Sequence, residues 1–276
     1  MNRRMWFVLA FAFAVCCVFL GLPLAQAQNT VASRTLCETG CLLPPTGLVG
    51  WWPGDGNSND IQLGSNGTLM SGASFLPGLI GQAFSFDGIN AFVDVPDTAA
   101  LHAVTTAASV DAWINPQPSP GFFGWIFARR DPFVSEGIGL AIDNAGFLFT
   151  TLGTSVFSCI SSATPVIQFN GEWQHVAVTV DSATGQVFLY LNGQPLAQVG
   201  CDGPPVVTAP SGAFADVSHL FIGRRQSSDT SEGVSGGGHY RGLIDELEFY
   251  NRALDPADIR AIFSVGPRGK CKPKAP

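Results

Sequence analysis

The sequence predicts an all-β fold, an antiparallel β-sandwich carrying one short helix near its C-terminal end. Three observations predict it. Short apolar runs recur about every ten residues between clusters of Gly, Asn, Asp and Pro, the spacing of a sandwich or barrel. Several of these runs alternate apolar and polar residues with the period of two that a half-buried strand requires. The chain also holds 32 Gly and 19 Pro in 276 residues, a load that disfavours a helical bundle. With 46% hydrophobic and only 13% charged residues it has the apolar mass for a sizeable core, which excludes a disordered polymer.

The first segment is expected to be an address and no part of the fold. Arg3 and Arg4 precede an apolar run from Trp6 to Leu20, and Ala25-Gln26-Ala27 supplies the small-x-small pattern of a signal-peptidase site. The run is shorter than the about 20 residues of a membrane span. Residues 1–27 therefore read as a signal peptide and 28–44 as a polar lead-in, with the sandwich over 45–266 and a C-terminal tail over 267–276. Loss of the two arginines takes the formal charge from -7 to -9. All three lysines (Lys270, Lys272 and Lys274) sit at the end of the chain. Nucleic-acid binding, which needs clustered cations, is not expected, nor is a stable membrane span after signal removal.

Strands are expected at Leu48–Trp52, Ala83–Phe86, Phe92–Val95, Ser109–Asn115 and Gly137–Ile142, and then at Phe147–Thr151, Trp173–Val180, Gln186–Leu191, Leu220–Gly223 and Leu243–Tyr250. Asn192-Gly193 tolerates the positive φ of a tight type I′ turn after Gln186–Leu191. Val110, Ala112 and Ile114 share one side of their strand, as do Val176, Val178 and Val180, and Trp113 and His175 lie on the opposite sides. Asp245 is placed on one side with Leu243, Leu247 and Phe249. Near the end, Asp255-Pro256-Ala257-Asp258 offers an N-cap, a first-turn Pro and a first-turn acid, and Gly266 a stop.

Export changes how the cysteines read. Cys37, Cys41, Cys159, Cys201 and Cys271 would enter an oxidising compartment, and their spacing matches no zinc pattern. Cys159 and Cys201 sit beside strand-like segments and are expected to staple neighbouring strands. Cys271 is expected to pair with Cys41, with Cys37 as the alternative, since spacing alone does not fix connectivity.

Several segments in order resemble the laminin G-like domains of the concanavalin A-like lectin/glucanase superfamily. They are Gly47–Gly56 with its Trp51-Trp52-Pro53-Gly54-Asp55, Gly81–Gly88, Val110–Ile114, Glu172–Ala177, Tyr190–Gly193, Gly242–Glu246 and Tyr250–Leu254. The resemblance covers about residues 45–266 and implies a jelly-roll sandwich of two curved sheets. It implies less about function, because this fold serves lectins, adhesion modules, sialidase accessory domains and hydrolases.

Glucanases of the superfamily carry Glu-x-Asp-x-x-Glu, in which two Glu act as nucleophile and acid/base. The similar text here begins at Leu243, so that Asp245 and Glu248 match but the nucleophile position does not. A retaining mechanism needs two carboxyl groups about 5–5.5 Å apart, and one of them is absent from this motif. Calcium is the metal the sequence favours, in a structural role. Asp55 and Asp60 from an oxygen-rich early loop, with Asp87 and Asp245 from strand ends, are expected to share an ion that clamps the two ends of the fold. Trp113, Trp125, Trp173 and His175 are the candidate ligand-binding residues, because rings on a non-aliphatic strand face can stack on sugars. The reading is a secreted, periplasmic or cell-surface recognition module without catalysis, binding glycan or an extracellular protein surface. A glycoside hydrolase on the same fold, or a purely structural envelope or matrix protein, are the alternatives.

Overall fold

Alternation of apolar and polar side chains sorts the strands onto two layers. The computed structural model describes residues 40–131, 136–153, 157–201, 214, 218–225 and 238–273. The signal-peptide segment, Cys37 and most of the lead-in lie outside the described residues. In chain order the strands are β1 (Leu48–Trp52), β2 (Thr68–Met70), β3 (Ser74–Pro77), β4 (Gln82–Asp87), β5 (Phe92–Val95), β6 (Ala107–Pro116), β7 (Phe123–Asp131) and β8 (Glu136–Asp143). They continue as β9 (Leu148–Gly153), β10 (Phe157–Ser162), β11 (Gln174–Asp181), β12 (Gln186–Leu191), β13 (Gln194–Pro195), β14 (Gln198–Gly200), β15 (Leu220–Ile222) and β16 (Arg241–Tyr250), followed by helix α1 (Pro256–Val265).

The first sheet runs β13-β12-β11-β6-β16-β4-β3, with β1 also paired to β16, and the second runs β14-β10-β9-β8-β7-β15-β5-β2. Each has eight strands, and the pairings between them are antiparallel. The expected aliphatic sides meet in the register Val178 opposite Val110 and Val176 opposite Ala112. They pack with Ile244, Leu247 and Phe249 of β16 against Ile138, Leu140, Leu148, Ile160, Leu220 and Ile222 of the second sheet. The β12–β13 turn is formed by Asn192 and Gly193 at φ 49° and 76°, the positive values a two-residue hairpin needs.

Strand β16 departs from strict alternation. Its pairing with β6 shifts register between Asp245 and Glu248, and Glu246 takes φ 52°. This β-bulge puts Ile244, Leu247 and Phe249 together in the core and sends Asp245 and Glu248 to the outer face. The expectation that Asp245 shares a side with Leu247 and Phe249 is thereby corrected; one inserted residue reverses the alternation.

Helix α1 closes the outer face of the first sheet. Asp255 caps it, its Oδ1 accepting the Asp258 N–H at 2.7 Å while Asp258 accepts the Asp255 N–H in return, and Pro256 opens the first turn. Ile259, Ile262 and Val265 are buried against Leu42, Leu48, Trp51, Tyr190 and Tyr250. Residues 267–273 of the segment expected as a tail are seated in the fold. The Leu42 N–H donates to the Gly269 carbonyl at 3.1 Å, and the Cys271 N–H donates to the Leu42 carbonyl at 2.8 Å. Cys41 and Cys271 form a disulfide with Cα atoms 5.1 Å apart, and Cys159 and Cys201 form another at 5.4 Å.

The Cys41–Cys271 bond joins positions 230 residues apart, so its loss releases a very long loop in the unfolded chain. The Cys41→Ser/Cys271→Ser double variant is expected to unfold with about 2–5 kcal/mol less free energy, read by urea denaturation followed through tryptophan fluorescence.

Candidate functional site

The outer face of the second sheet carries a groove of about 470 Å³. Outward residues of β7 and β9 supply its aromatic side, Phe123, Trp125 and Phe149, and Phe147 lies on the turn before β9. Thr151, Ser161, Val199 and the Cys159–Cys201 disulfide continue the lining, and Asp143 and Arg225 border it. The rings form a chain of edge contacts. Phe122 and Phe123 centroids are 4.8 Å apart, Phe123 and Phe149 5.3 Å, and Trp125 and Phe149 5.7 Å. Phe122 is 71% exposed and Phe123 40%, so apolar ring surface faces solvent here.

Two backbone features make this surface. Gly139, opposite Ala128 and Thr151 on neighbouring strands, leaves space for the Trp125 ring; a Cβ there would stand 2.4 Å from Trp125 Cζ3. The Trp125 ring lies down on the sheet, with the Arg225 guanidinium 5.4 Å from its centroid. Asp143 Oδ1 accepts the N–H groups of Ala145 and Phe147, both at 2.9 Å, and so fixes the turn that presents Phe147. The Thr151 hydroxyl is buried behind the lining, closed to solvent and without a hydrogen-bond partner.

Of the four expected ligand-binding residues, only Trp125 lines this groove. Trp113 and His175 are on the outer face of the first sheet, beneath α1. The Phe263 ring stacks on Trp113 at 5.7 Å, the Trp113 and His175 centroids are 5.2 Å apart, and both side chains are buried. Trp173 is half-buried in the segment leading into β11. The structure therefore does not bring the four together. Sequence reasoning missed Phe123 and Phe149; the run Phe122-Phe123-Gly124-Trp125 was the available signal.

The four carboxylates expected to share calcium do not converge either. Asp60 accepts four backbone N–H groups, those of Trp51 and Gln62 on Oδ1 and those of Leu63 and Ser65 on Oδ2. Asp87 Oδ1 accepts from Ile89, Asn90 and Ala91. Burial pushes Asp87 up, but those three N–H groups outweigh it and hold its carboxyl below the ordinary value. Asp245 Oδ2 accepts the Ile80 N–H at 2.9 Å. Among the described residues no group of three or more His, Cys, Asp or Glu is arranged to hold a metal ion, and these residues do not fit a shared calcium. The ends of the fold are joined by a different cation. The Lys272 ammonium contacts Asp55 at 2.5 Å and Glu246 at 2.7 Å, tying the early loop to β16.

The outward acids of the first sheet are buried under the C-terminal segment. Lys270 Nζ lies 3.0 Å from Glu248 Oε2 and 3.7 Å from Asp111 Oδ1. Tyr250 donates its hydroxyl to Glu248 Oε2 at 2.5 Å, His175 Nε2 is 3.2 Å from Asp111 Oδ1, and Trp51 Nε1–H donates to Glu246 at 2.8 Å. Burial pushes Glu248 up to about 8 against the pull of Lys270, with Asp111 adding to the rise. Burial also raises Glu246, opposed by Lys272 and Lys270. For Lys270 itself burial acts downward, and the charges of Glu248, Asp111 and Glu246 outweigh it. Glu248 and Asp245, the two acids that match the glucanase motif, thus lie on the sheet opposite the groove and are fully buried.

Burial pushes the Asp245 carboxyl from 3.8 up to about 8, with Glu246 adding to the rise and the Ile80 N–H and Lys272 opposing it. Between those two pH values the folded chain keeps a proton that the unfolded chain has released, so stability falls as pH rises across the window. Asp245→Asn is expected to flatten that decline, measured as urea midpoints of both proteins at several pH values between the two limits. A decline of unchanged steepness in the variant would contradict the assignment.

The sequence matches the Laminin_G_3 family, described as concanavalin A-like lectin/glucanases superfamily, over residues 87–260. No curated protein matches it. Among solved structures, domain 4 of AbnA, a GH43 extracellular arabinanase from Geobacillus stearothermophilus in complex with arabinotriose, is similar at TM-score 0.56 and 21% identity, covering 79% of this chain and 98% of that one. The binding domain of Paraclostridial Mosquitocidal Protein 1 gives TM-score 0.58 and 15% identity over 79% of this chain and 52% of that one. Trypanosoma rangeli sialidase in complex with sialic acid gives 0.57 and 20% over 86% of this chain but only 37% of the enzyme. At these identities the likenesses show the fold. With a family match over residues 87–260 and paired antiparallel sheets that agree with it, this chain belongs to the concanavalin A-like lectin/glucanases superfamily.

Proposed function

We propose that the chain is an exported, non-catalytic recognition module that holds a short glycan segment in the groove on the outer face of the second sheet. The observation that carries this is the groove's composition. Exposed Phe122 and Phe123, backed by the buried Trp125 and Phe149 rings, supply apolar surface for sugar faces, while Ser161, Asp143 and Arg225 supply polar groups at its walls. The structural neighbour solved with arabinotriose supports a sugar as the ligand class. Export is supported by the N-terminal signal-like segment and by two disulfides, which persist in oxidising compartments. No helix among the described residues is long and apolar enough to cross a membrane.

A glycan array probed with the mature protein, followed by calorimetry on the retained sugars, tests this reading. Phe123→Ala and Phe122→Ala each remove an exposed ring at the groove. Each is expected to weaken binding about tenfold or more. An array with no retained glycan, or affinities untouched by Phe123→Ala, would sink the proposal.

A further inference from the structure

Beneath α1, on the side of the molecule away from the groove, an amine and two carboxyl groups are enclosed together. Lys270 Nζ stands between Glu248 and Asp111, at 3.0 Å and 3.7 Å. All three side chains are buried, and the Trp51 ring centroid is 6.0 Å from the ammonium. The neighbours differ in a way that assigns roles. Glu248 Oε2 already holds the Tyr250 hydroxyl and is the oxygen nearest the amine. Asp111 Oδ1 faces His175 Nε2 at 3.2 Å, while Asp111 Oδ2 has no hydrogen-bond partner.

We propose that Lys270 and Asp111 condense to an intramolecular isopeptide bond, with Glu248 relaying the protons and His175 polarising the Asp111 carbonyl. The Lys270 ammonium first gives up one proton. The Nζ lone pair so freed adds to Asp111 Cγ, forming the N–C bond and moving the carbonyl electrons onto Oδ1. With its proton on Nε2, His175 donates to that oxygen as the charge develops, the role of an oxyanion-hole donor. That first proton and a second, lost from the nitrogen after addition, reach Oδ2 through Glu248. The C–Oδ2 bond then breaks as the electrons on Oδ1 return to the carbonyl, and Oδ2 departs as water. An ammonium and a carboxylate become one amide and one water, and Glu248 ends in the protonation state it began with, so no oxidant, reductant or activated co-reactant is needed.

Three features of the site favour the step. The two reacting groups are held in one enclosure, so condensation has the advantage of an intramolecular reaction. Water is excluded, which favours loss of water over the reverse hydrolysis. The product also discharges a buried ammonium and a buried carboxylate, whose desolvation otherwise weighs against the folded state. Glu248 suits a relay because burial raises its carboxyl to about 8, where it exchanges protons readily near neutral pH. The charges around Lys270 keep its amine protonated, so the neutral amine is scarce and the bond forms slowly after folding.

Mass spectrometry of the reduced, denatured protein tests the proposal, because reduction opens both disulfides but leaves an amide intact. The expected result is a chain lighter than its sequence by one water, with a protease map that joins the peptide of Asp111 to that of Lys270. Glu248→Gln is expected to restore the full sequence mass and two separate peptides. Should that variant fail to fold, the wild-type mass decides alone. Full sequence mass in the wild-type protein, with the Lys270 amine open to acylation in denaturant, would overturn the proposal. A link from Lys270 to Glu248 would equally reject Asp111 as the electrophile.

Discussion

The outer layer of the first sheet depends on neutralising carboxylates that the β16 bulge and β6 place there. Asp111, Glu246 and Glu248 are buried on this face, and taking such ions out of water costs several kcal/mol each unless they are paired. All three lysines of the chain lie at its end, and two of them, Lys270 and Lys272, reach these acids. The remaining closures follow from that placement. With Lys270 seated, the Cys271 N–H reaches Leu42, the disulfide to Cys41 can form, and α1 can lay Phe263 over Trp113 without sealing in unpaired charge. Removing one partner of such a buried pair leaves the other uncompensated, a loss of about 3–5 kcal/mol. The C-terminal segment is therefore a structural member of the sandwich.

Much of the fold was legible because local pattern and tertiary environment agree. The Val-x-Val-x-Val of β11 and the Val-x-Ala-x-Ile of β6 face the core as their period requires, and Asp255-Pro256 starts the helix where the caps indicated. Strand β7 was not legible. Ile126 and Phe127 are consecutive and both buried in the core, because the strand changes register between Trp125 and Phe127, and a period-two search loses such a run. The Glu246 bulge defeated the facing of Asp245 for the same reason. Long-range covering was equally invisible. Trp113 and His175 read as open rings because nothing local announces that Phe263, many residues later, will lie on them. The pattern of Asp55, Asp60 and Asp87 did report turns rich in acceptors, and in the fold backbone N–H groups and Lys272 engage them separately.

The two faces of the sandwich are built on opposite principles. On the first sheet, ions and a helix cover the outer face over β6, β11 and β16. On the second, Phe122 and Phe123 stay exposed beside a buried Trp125, for whose ring the glycine at 139 leaves space. Open apolar surface of that kind has a stability cost, because the rings gain less from burial than core residues do. The dense, heavily bonded layer on the far side supplies the rigidity that lets this face stay bare.

The crosslink between positions 41 and 271 also has a mechanical meaning. Chain entering at Cys41 and leaving at Cys271 passes through two Cα atoms 5.1 Å apart, so a pull applied from either side is carried by one covalent bond. The hydrogen-bonded ladders between those positions sit in a closed loop that bears none of that tension. Both attachment points lie on the helix-covered layer, away from the groove, so a load transmitted along the chain would leave the aromatic face unstretched and turned outward.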